Sequence, residues 1–350
     1  MTITYYIGFD VHKKWIFYCV KTQDGTVVSE GKIAAERSAL EEWAKQRSHP
    51  WIGGLEATLF SGWIYDALKP YAVELKVAHP AMLKAIAASK KKNDRLDARV
   101  ITDLLRCNLF PECYMAPGWI RELRRMLRYR NLVVSQAVRL KNRIAGLLME
   151  EGVRYDSRRL HGKRYFAQLL DSLETPASVL QLLRLSRSSL EMLQAVERRL
   201  LRELERNAHL RARVELLRTI PGVGLILALT WALEIAEVKR FGSIRRAISY
   251  CGLTSAQRES ACKPYRTPIS KQRNAHLQTI LIEAAKLAPR WNPQLGALHE
   301  RELARGNRNR ATLAVARKLV AYLMAVDRSG KPFEERAAGA ESAAVALAGA

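Results

Sequence analysis

ITYYIGFDV, residues 3–11, alternates apolar and polar side chains without a break. Ile3, Tyr5, Ile7, Phe9 and Val11 fall on one face and Thr4, Tyr6, Gly8 and Asp10 on the other, the period-two pattern of a strand covered on one side. Asp10 therefore lies near the end of this strand, opposite the apolar set. WIFYCVKT (15–22) and TVVSEGKI (26–33) flank Asp24-Gly25, a strong hairpin signal because glycine supplies the positive φ of a tight turn. A helix near 35–47 follows, then a strand WIGGLEA (51–57) that includes Glu56, a helix over 61–69 and a strand VELKVAHP (73–80). Three antiparallel strands followed by alternating helices and strands predict a mixed α/β sheet with helices on its faces.

KKKNDRLDARVITDLL, residues 90–105, closes this region. Asn93 suits an N-cap, so a helix is predicted from Asp94. Leu96, Val100, Ile101, Leu104 and Leu105 form its apolar arc. Asp94 and Asp97 fall inside that arc, while Arg95, Arg99, Thr102 and Asp103 point away. Buried carboxylates are costly unless compensated. Their i, i+3 spacing stacks them where a divalent cation can bridge both. Taken alone, Asp-x-x-Asp also reads as a first turn with acids set against the helix dipole. With Asp10 and Glu56 at strand ends, the four acids form the set that two Mg²⁺ ions about 4 Å apart need for in-line phosphoryl transfer.

The 350 residues are 48% hydrophobic and carry a formal net charge of +24, with pI near 10.1. This is a folded chain with a polyanionic partner, most often nucleic acid. Residues 1–115 hold 16 basic against 13 acidic residues, leaving 42 against 21 for the remainder, so the electrostatic grip lies beyond the first region. Cys19, Cys107, Cys113, Cys251 and Cys262 form no C-x-x-C pair. Neither a disulfide framework nor a zinc site is indicated, and a reducing cytoplasm fits. No signal-peptide pattern is present, and the longest apolar run, Val223–Leu233, falls short of the roughly 20 residues of a membrane span.

From Trp119 to about Arg164 the chain is helical in pattern and basic, with 13 basic against 4 acidic residues over 118–165. Leu123, Met126 or Leu127, Leu132 or Val133, Val138, Ile144 and Leu148 offer a seam. A second block, 176–218, repeats leucine at helical spacing, and the pair predicts an antiparallel coiled-coil hairpin. In TIPGVGLILALTWALEI (219–235), Gly222 and Gly224 before an apolar helix resemble a helix-hairpin-helix turn. There backbone N–H groups can approach a phosphate, although an ordinary glycine turn reads the same way. Residues 241–274 read as a polar, basic loop. It displays Ser260 and Ser270 among Arg258, Lys263, Arg266, Lys271 and Arg273, a setting in which cations could support attack on a phosphodiester. Helices over 274–288 and about 307–326 are predicted to pack on 225–237, and the Ala-rich tail to be disordered.

GFDVHKK (8–14), LEAT (55–58), KNDRLDA (92–98), TIPGVG (219–224), YCGLTSAQRES (250–260) and ISKQRN (269–274) occur in this order. Together they resemble the DEDD transposases of bacterial insertion sequences, the insertion-sequence family numbered one hundred and ten, with Piv-type DNA invertases as relatives. The resemblance covers roughly residues 5–325. It implies a RuvC-like (RNase H-type) catalytic domain at 1–115, a basic coiled-coil linker at 116–215, a mainly α transposase domain at 216–328 and a disordered tail at 329–350. It further implies Mg²⁺ on Asp10, Glu56, Asp94 and Asp97, and a serine nucleophile forming a phosphoserine link to DNA, matched by Ser260. This chain has Ala261 and Cys262 where relatives often carry small glycines, so Ser255 stays as the second candidate. Gly222, Gly224, Lys263, Arg266, Lys271 and Arg273 are the expected nucleic-acid contacts.

The implied activity is DNA recombination, with donor and target DNA and a structured guide RNA encoded by the element as partners and no membrane. The resemblance also implies a homo-oligomer, a dimer that forms a tetramer in which the acids of one subunit meet the serine of another. The expected place is the bacterial cytoplasm, at the nucleoid when DNA-bound. The competing reading is a RuvC-like Mg²⁺-dependent nuclease or junction resolvase in which water is the nucleophile. A third is a basic architectural or RNA-binding protein with an inactive nuclease fold.

Overall fold

The computed structural model describes residues 4–86, 94–260, 263–269 and 272–335. For residues 94–96, 256–260 and 263–268 it describes the backbone alone. Asn93, Ala261, Cys262, Ser270, Lys271 and the tail from residue 336 lie outside the described residues. The chain divides into two compact units, Met1–Arg121 and Glu122–Ala350.

In the first unit β1 (Tyr5–Val11), β2 (Trp15–Lys21) and β3 (Val27–Ala34) pair antiparallel. After helix α1 (Arg37–Lys45), β4 (Trp51–Glu56) returns parallel to β1. After α2 (Ser61–Leu68), β5 (Glu74–Ala78) lies parallel to β4, so the sheet order is β3-β2-β1-β4-β5. Gly25 takes φ +97° in the β2–β3 turn, as the Asp-Gly pair predicts. The apolar face of β1 (Ile7, Phe9, Val11) packs with Leu40, Trp43 and Ile64 of α1 and α2 in one core. Helix α3 (Pro80–Ile86), which the residue pattern did not signal, precedes α4 (Asp94–Arg106). The packing of α4 makes a second, smaller core of Ala78, Leu83, Ile101, Leu104 and Leu105 on the other face of the sheet.

Thr102 overturns its place on the helical wheel. It is fully buried, its hydroxyl receives the Gly8 N–H at 3.0 Å, and it lies 2.8 Å from Ala98 O and 3.1 Å from Cys19 O. A threonine whose hydroxyl is satisfied this fully can face the sheet at little cost. Gly8 is required there: a Cβ would lie 2.3 Å from Ala98 O and 2.6 Å from Thr102 N.

The second unit opens along α5 (Gly118–Glu150), followed by α6 (Lys163–Asp171), α7 (Ala177–Arg206) and α8 (Ala208–Leu217). Ala137, Ile144, Leu147 and Leu148 of α5 pack with Phe166, Leu183 and Leu190, and Arg130 pairs with Glu197. Residue numbers that rise along α5 meet numbers that fall along α7, the arrangement of an antiparallel helical hairpin. Its seam differs by one position from the expected one: Ala137 is buried and Val138 exposed. Next come α9 (Leu225–Ile235) and α10 (Ile244–Tyr250), and later α11 (Ala275–Leu287), α12 (Pro293–Ala304) and α13 (Arg308–Ser329). Helix α9 is buried from Leu227 to Ile235, and Asp327 of α13 accepts from Trp231 Nε1 at 2.9 Å and from Arg213 Nε and Nη2 at 2.8 and 2.6 Å.

Where the pattern suggested a loop at 241–274, the chain forms α10 and an antiparallel hairpin, β6 (Ser255–Ser260) and β7 (Lys263–Ile269). Pro264 and Pro268 are disfavoured in strands. A two-stranded ribbon has open edges, however, and these tolerate residues lacking an N–H.

Candidate functional site

The acidic positions gather at one end of the first unit's sheet. Phe9 pairs with Leu55 across the parallel β1–β4 ladder, so Asp10 and Glu56 are the next residues of two adjacent strands, spaced by about 4.8 Å in such sheets. Both share the sheet face on which α4 lies. Gly8, two residues before Asp10, meets Ala98 and Thr102, and Gly54, two before Glu56, meets Leu105. The direction of α4 follows from its contacts. Ala98 sits at Gly8, whereas Asp103 reaches Lys21 at 2.6 Å and Arg106 reaches Gln23 O at 3.3 Å, beyond the β1 start. Its first turn, with Asp94 and Asp97, therefore faces the strand end that holds Asp10 and Glu56.

Asp10 is largely buried, and His12 Nε2 lies 2.8 Å from its Oδ2. The residue pattern did not single out this histidine, although the i, i+2 spacing in Asp-Val-His was visible. Asp97 is half-buried, and the Asp94 side chain lies outside the described ones. Among the described residues no three His, Cys, Asp or Glu side chains form a metal-holding group. The donor set is nonetheless all carboxylate oxygen, the kind that hard cations such as Mg²⁺ take.

Ser260 closes β6 and pairs with Lys263 across the hairpin end, Gln257 with Arg266, and Ser255 with Ile269 at the opposite end. The two serine candidates thus occupy opposite ends of one ribbon. At its base, Gly252 (φ +70°) has no room for a side chain: a Cβ would lie 2.4 Å from the Cβ of Arg273. Asn274 N donates to Tyr250 O at 3.0 Å, and Gln278 Nε2 donates to Gly252 O at 2.6 Å. Arg273 is exposed. Burial pushes the neighbouring Cys251 thiol up to about 12, so it stays protonated.

Beneath the hairpin base lies Glu234, which the residue pattern missed. Its carboxylate is inaccessible to solvent and accepts both Arg128 donors at 2.8 Å and Asn274 Nδ2 at 2.8 Å, with Arg124 at 3.6 Å. Burial alone would raise this carboxyl. The hydrogen bond and charge of Arg128, the Asn274 amide and the charge of Arg124 outweigh it and hold it below its ordinary value. The carbonyls at the end of α9 are capped by arginine: Leu233 O by Arg124, Ile235 O by Arg240, and Ala236 O by Arg213 at 2.7 Å. Cations suit the negative end of a helix dipole. They also hold Ala236 at the unfavourable φ of +58°.

At the glycine turn, Gly222 has φ +92°, and a Cβ there would lie 2.8 Å from the Ala288 Cβ. Packing alone thus accounts for Gly222, whereas Gly224 is exposed at the N-cap of α9. No helix among the described residues is long and apolar enough to cross a membrane.

A DEDD-type transposase profile of the IS110 group matches residues 7–151, and the profile of the transposase IS116/IS110/IS902 family matches residues 214–300. The Sinorhizobium fredii protein y4qE, a transposase by name, is 24% identical over 93% of this chain and 89% of its own length. The transposase for insertion sequence element IS1111A of Coxiella burnetii is 26% identical over 73% of this chain and 71% of its own. The transposase for insertion sequence element IS1328 of Yersinia enterocolitica is 24% identical over 82% and 86%. The two profiles fall on the acid-bearing sheet and on the segment that carries the Ser260 hairpin, and the chain belongs to the IS110 family of insertion-sequence transposases.

Proposed function

We propose that this chain is a DNA recombinase that exchanges strands through a phosphoserine intermediate on Ser260. The acids Asp10, Glu56, Asp94 and Asp97 would form a Mg²⁺-binding quartet in a RuvC-like domain. The observation that carries the reading is the β1–β4 register, which sets Asp10 beside Glu56 on the face crossed by α4. Bound Mg²⁺ would supply Lewis-acid stabilisation of charge on the attacked phosphate. The Ser260 oxygen forms the new bond to phosphorus, a bridging oxygen leaves as a hydroxyl, and the DNA end is retained as a phosphodiester. Reversal by a different DNA hydroxyl reseals the backbone without water.

Lys263, Arg266, Lys271 and Arg273, in or beside β7, would hold the phosphates of the DNA, and Gly224 with Gly222 would let backbone N–H groups approach another. A division into residues 1–115, 116–215 and 216–328 would assign these roles in turn: acid chemistry, a basic helical hairpin and serine chemistry. Its partners would be donor and target DNA, an element-encoded guide RNA and further copies of the chain. The excess of 42 basic over 21 acidic residues beyond position 115 suits such a load.

The test incubates the full chain with labelled end DNA of its element, Mg²⁺ and co-purifying RNA, and looks for a protein–DNA adduct on a denaturing gel. The adduct is expected with wild type and absent with Ser260→Ala and Asp97→Ala. Cleavage without adduct that survives Ser260→Ala would identify a hydrolytic nuclease instead.

A further inference from the structure

The buried Glu234 cluster has no role in the proposed chemistry, and its construction demands one. A carboxylate taken wholly out of water is costly even when paired, and an apolar residue of similar size would often serve stability as well. Glu234 nevertheless ends an otherwise apolar helix and accepts three hydrogen bonds from two other elements: Arg128 of α5 and Asn274 at the start of α11. Asn274 is the residue on which the hairpin closes. Its backbone N–H returns to Tyr250 O, its Oδ1 caps α11 through the His276 and Leu277 N–H groups, and its Nδ2 is committed to Glu234. Tyr250, on the entering side of the hairpin, donates its hydroxyl to Glu234 O at 3.3 Å. Both ends of the segment that carries Ser260 are thus tied to one buried residue.

We propose that Glu234 is a positioning residue of the recombination reaction: through Asn274 and Tyr250 it fixes the base of the β6–β7 hairpin and so the place of Ser260. This rests on Ser260 being the nucleophile. A two-stranded ribbon is marginal on its own, so its aim depends on how its base is held. Such a small misplacement of a nucleophile lowers the rate of the chemical step while leaving binding intact.

The test uses the full chain carrying Asn274→Ser, with Glu234→Gln as the harsher variant. Serine keeps a capping oxygen for α11 but cannot reach the Glu234 carboxylate, so helix and fold survive while the Asn274 tie is cut and the Tyr250 hydroxyl keeps its bond to Glu234 O. Amide hydrogen exchange over residues 250–276 and single-turnover adduct formation across a range of DNA concentrations are compared with wild type. Temperatures stay well below each variant's unfolding. The expected result is at least a tenfold loss of protection at Gly252, Leu253 and Asn274, and about a tenfold fall in the maximal adduct rate with unchanged half-saturating DNA. A purely structural role would leave that rate intact in folded protein. Unchanged protection, or lost protection with an unchanged rate, overturns the inference. If Ser260→Ala forms the adduct as wild type does, the nucleophile has been misassigned. The exchange data then decide separately whether Glu234 anchors the hairpin.

Discussion

Two segments bearing the proposed chemistry are held in opposite ways. Helix α4, which carries Asp94 and Asp97, meets the centre of the sheet through neutral groups, a glycine with no room for a side chain and a threonine hydroxyl that satisfies a buried N–H, with the ion pairs Lys21–Asp103 and Arg99–Glu30 at its flanks. The hairpin carrying Ser260 is tied at its base to a buried charge, Glu234, with Arg128, Arg124 and Asn274 around it. A neutral contact fixes spacing and does not respond to pH. A charged one fixes direction, because each donor must meet its own oxygen, and it costs more when one partner is lost.

The largest effect is expected at Gly8. Gly8→Val drives a side chain into the Ala98 carbonyl, so α4 must leave the sheet. Destabilisation at or beyond the roughly 3 kcal/mol upper range for overpacking should follow, together with loss of activity. Denaturant unfolding and circular dichroism check it, and a Gly8→Val protein as stable as wild type would break the neutral half of the comparison. Glu234→Gln comes next. Removing one partner of a buried pair should cost about 3 kcal/mol, the low end of the usual range because Arg128 is partly exposed. Thr102→Val should cost about 1–3 kcal/mol by orphaning the Gly8 N–H, and Thr102→Ser less than about 1 kcal/mol. Their denaturation midpoints provide the check.

The smallest effect sharpens the contrast through pH. The Glu234 carboxyl is held below its unfolded value, about 4.3. Its contribution is therefore complete above that pH and is lost as pH falls through the folded value. The stability gap between wild type and Glu234→Gln should stay constant from pH 5 to 7 and narrow below about 4.3, while the gap for Thr102→Val stays flat throughout. The groups facing Glu234 are Arg124 and Arg128 of α5, Tyr250 of α10, and Asn274 and His276 at α11. Burial lowers the His276 value most and the Glu234 charge partly opposes it, so both proteins carry His276→Gln in this comparison, which removes the coupled titration from the gap.

How much of this was legible in the residues differs between the two segments. The five strands, the Asp-Gly turn and the placement of Asp10 and Glu56 at strand ends follow from alternation, which is a local signal. Thr102 was misplaced because a helical wheel ranks side chains by polarity, and a hydroxyl that meets a buried N–H is apolar in effect. The hairpin at 255–269 was hidden by its prolines and charges. Glu234 was invisible for another reason. It closes the apolar run TWALEI and looks like an exposed helix end, while its partners Arg128 and Asn274 lie 106 and 40 residues away. Local periodicity carries no information on such pairs.

The most direct test of the central claim is to locate the DNA-derived phosphate after trypsin digestion of the adduct. Ser260 falls in the peptide Glu259–Arg266, since Pro264 blocks cleavage after Lys263, and Ser255 falls in Ala247–Arg258. The account predicts a base-labile phosphate on Ser260 in the first peptide, its lability excluding Tyr265. A phosphate on the second peptide, or DNA ends released with no modified peptide, would contradict it.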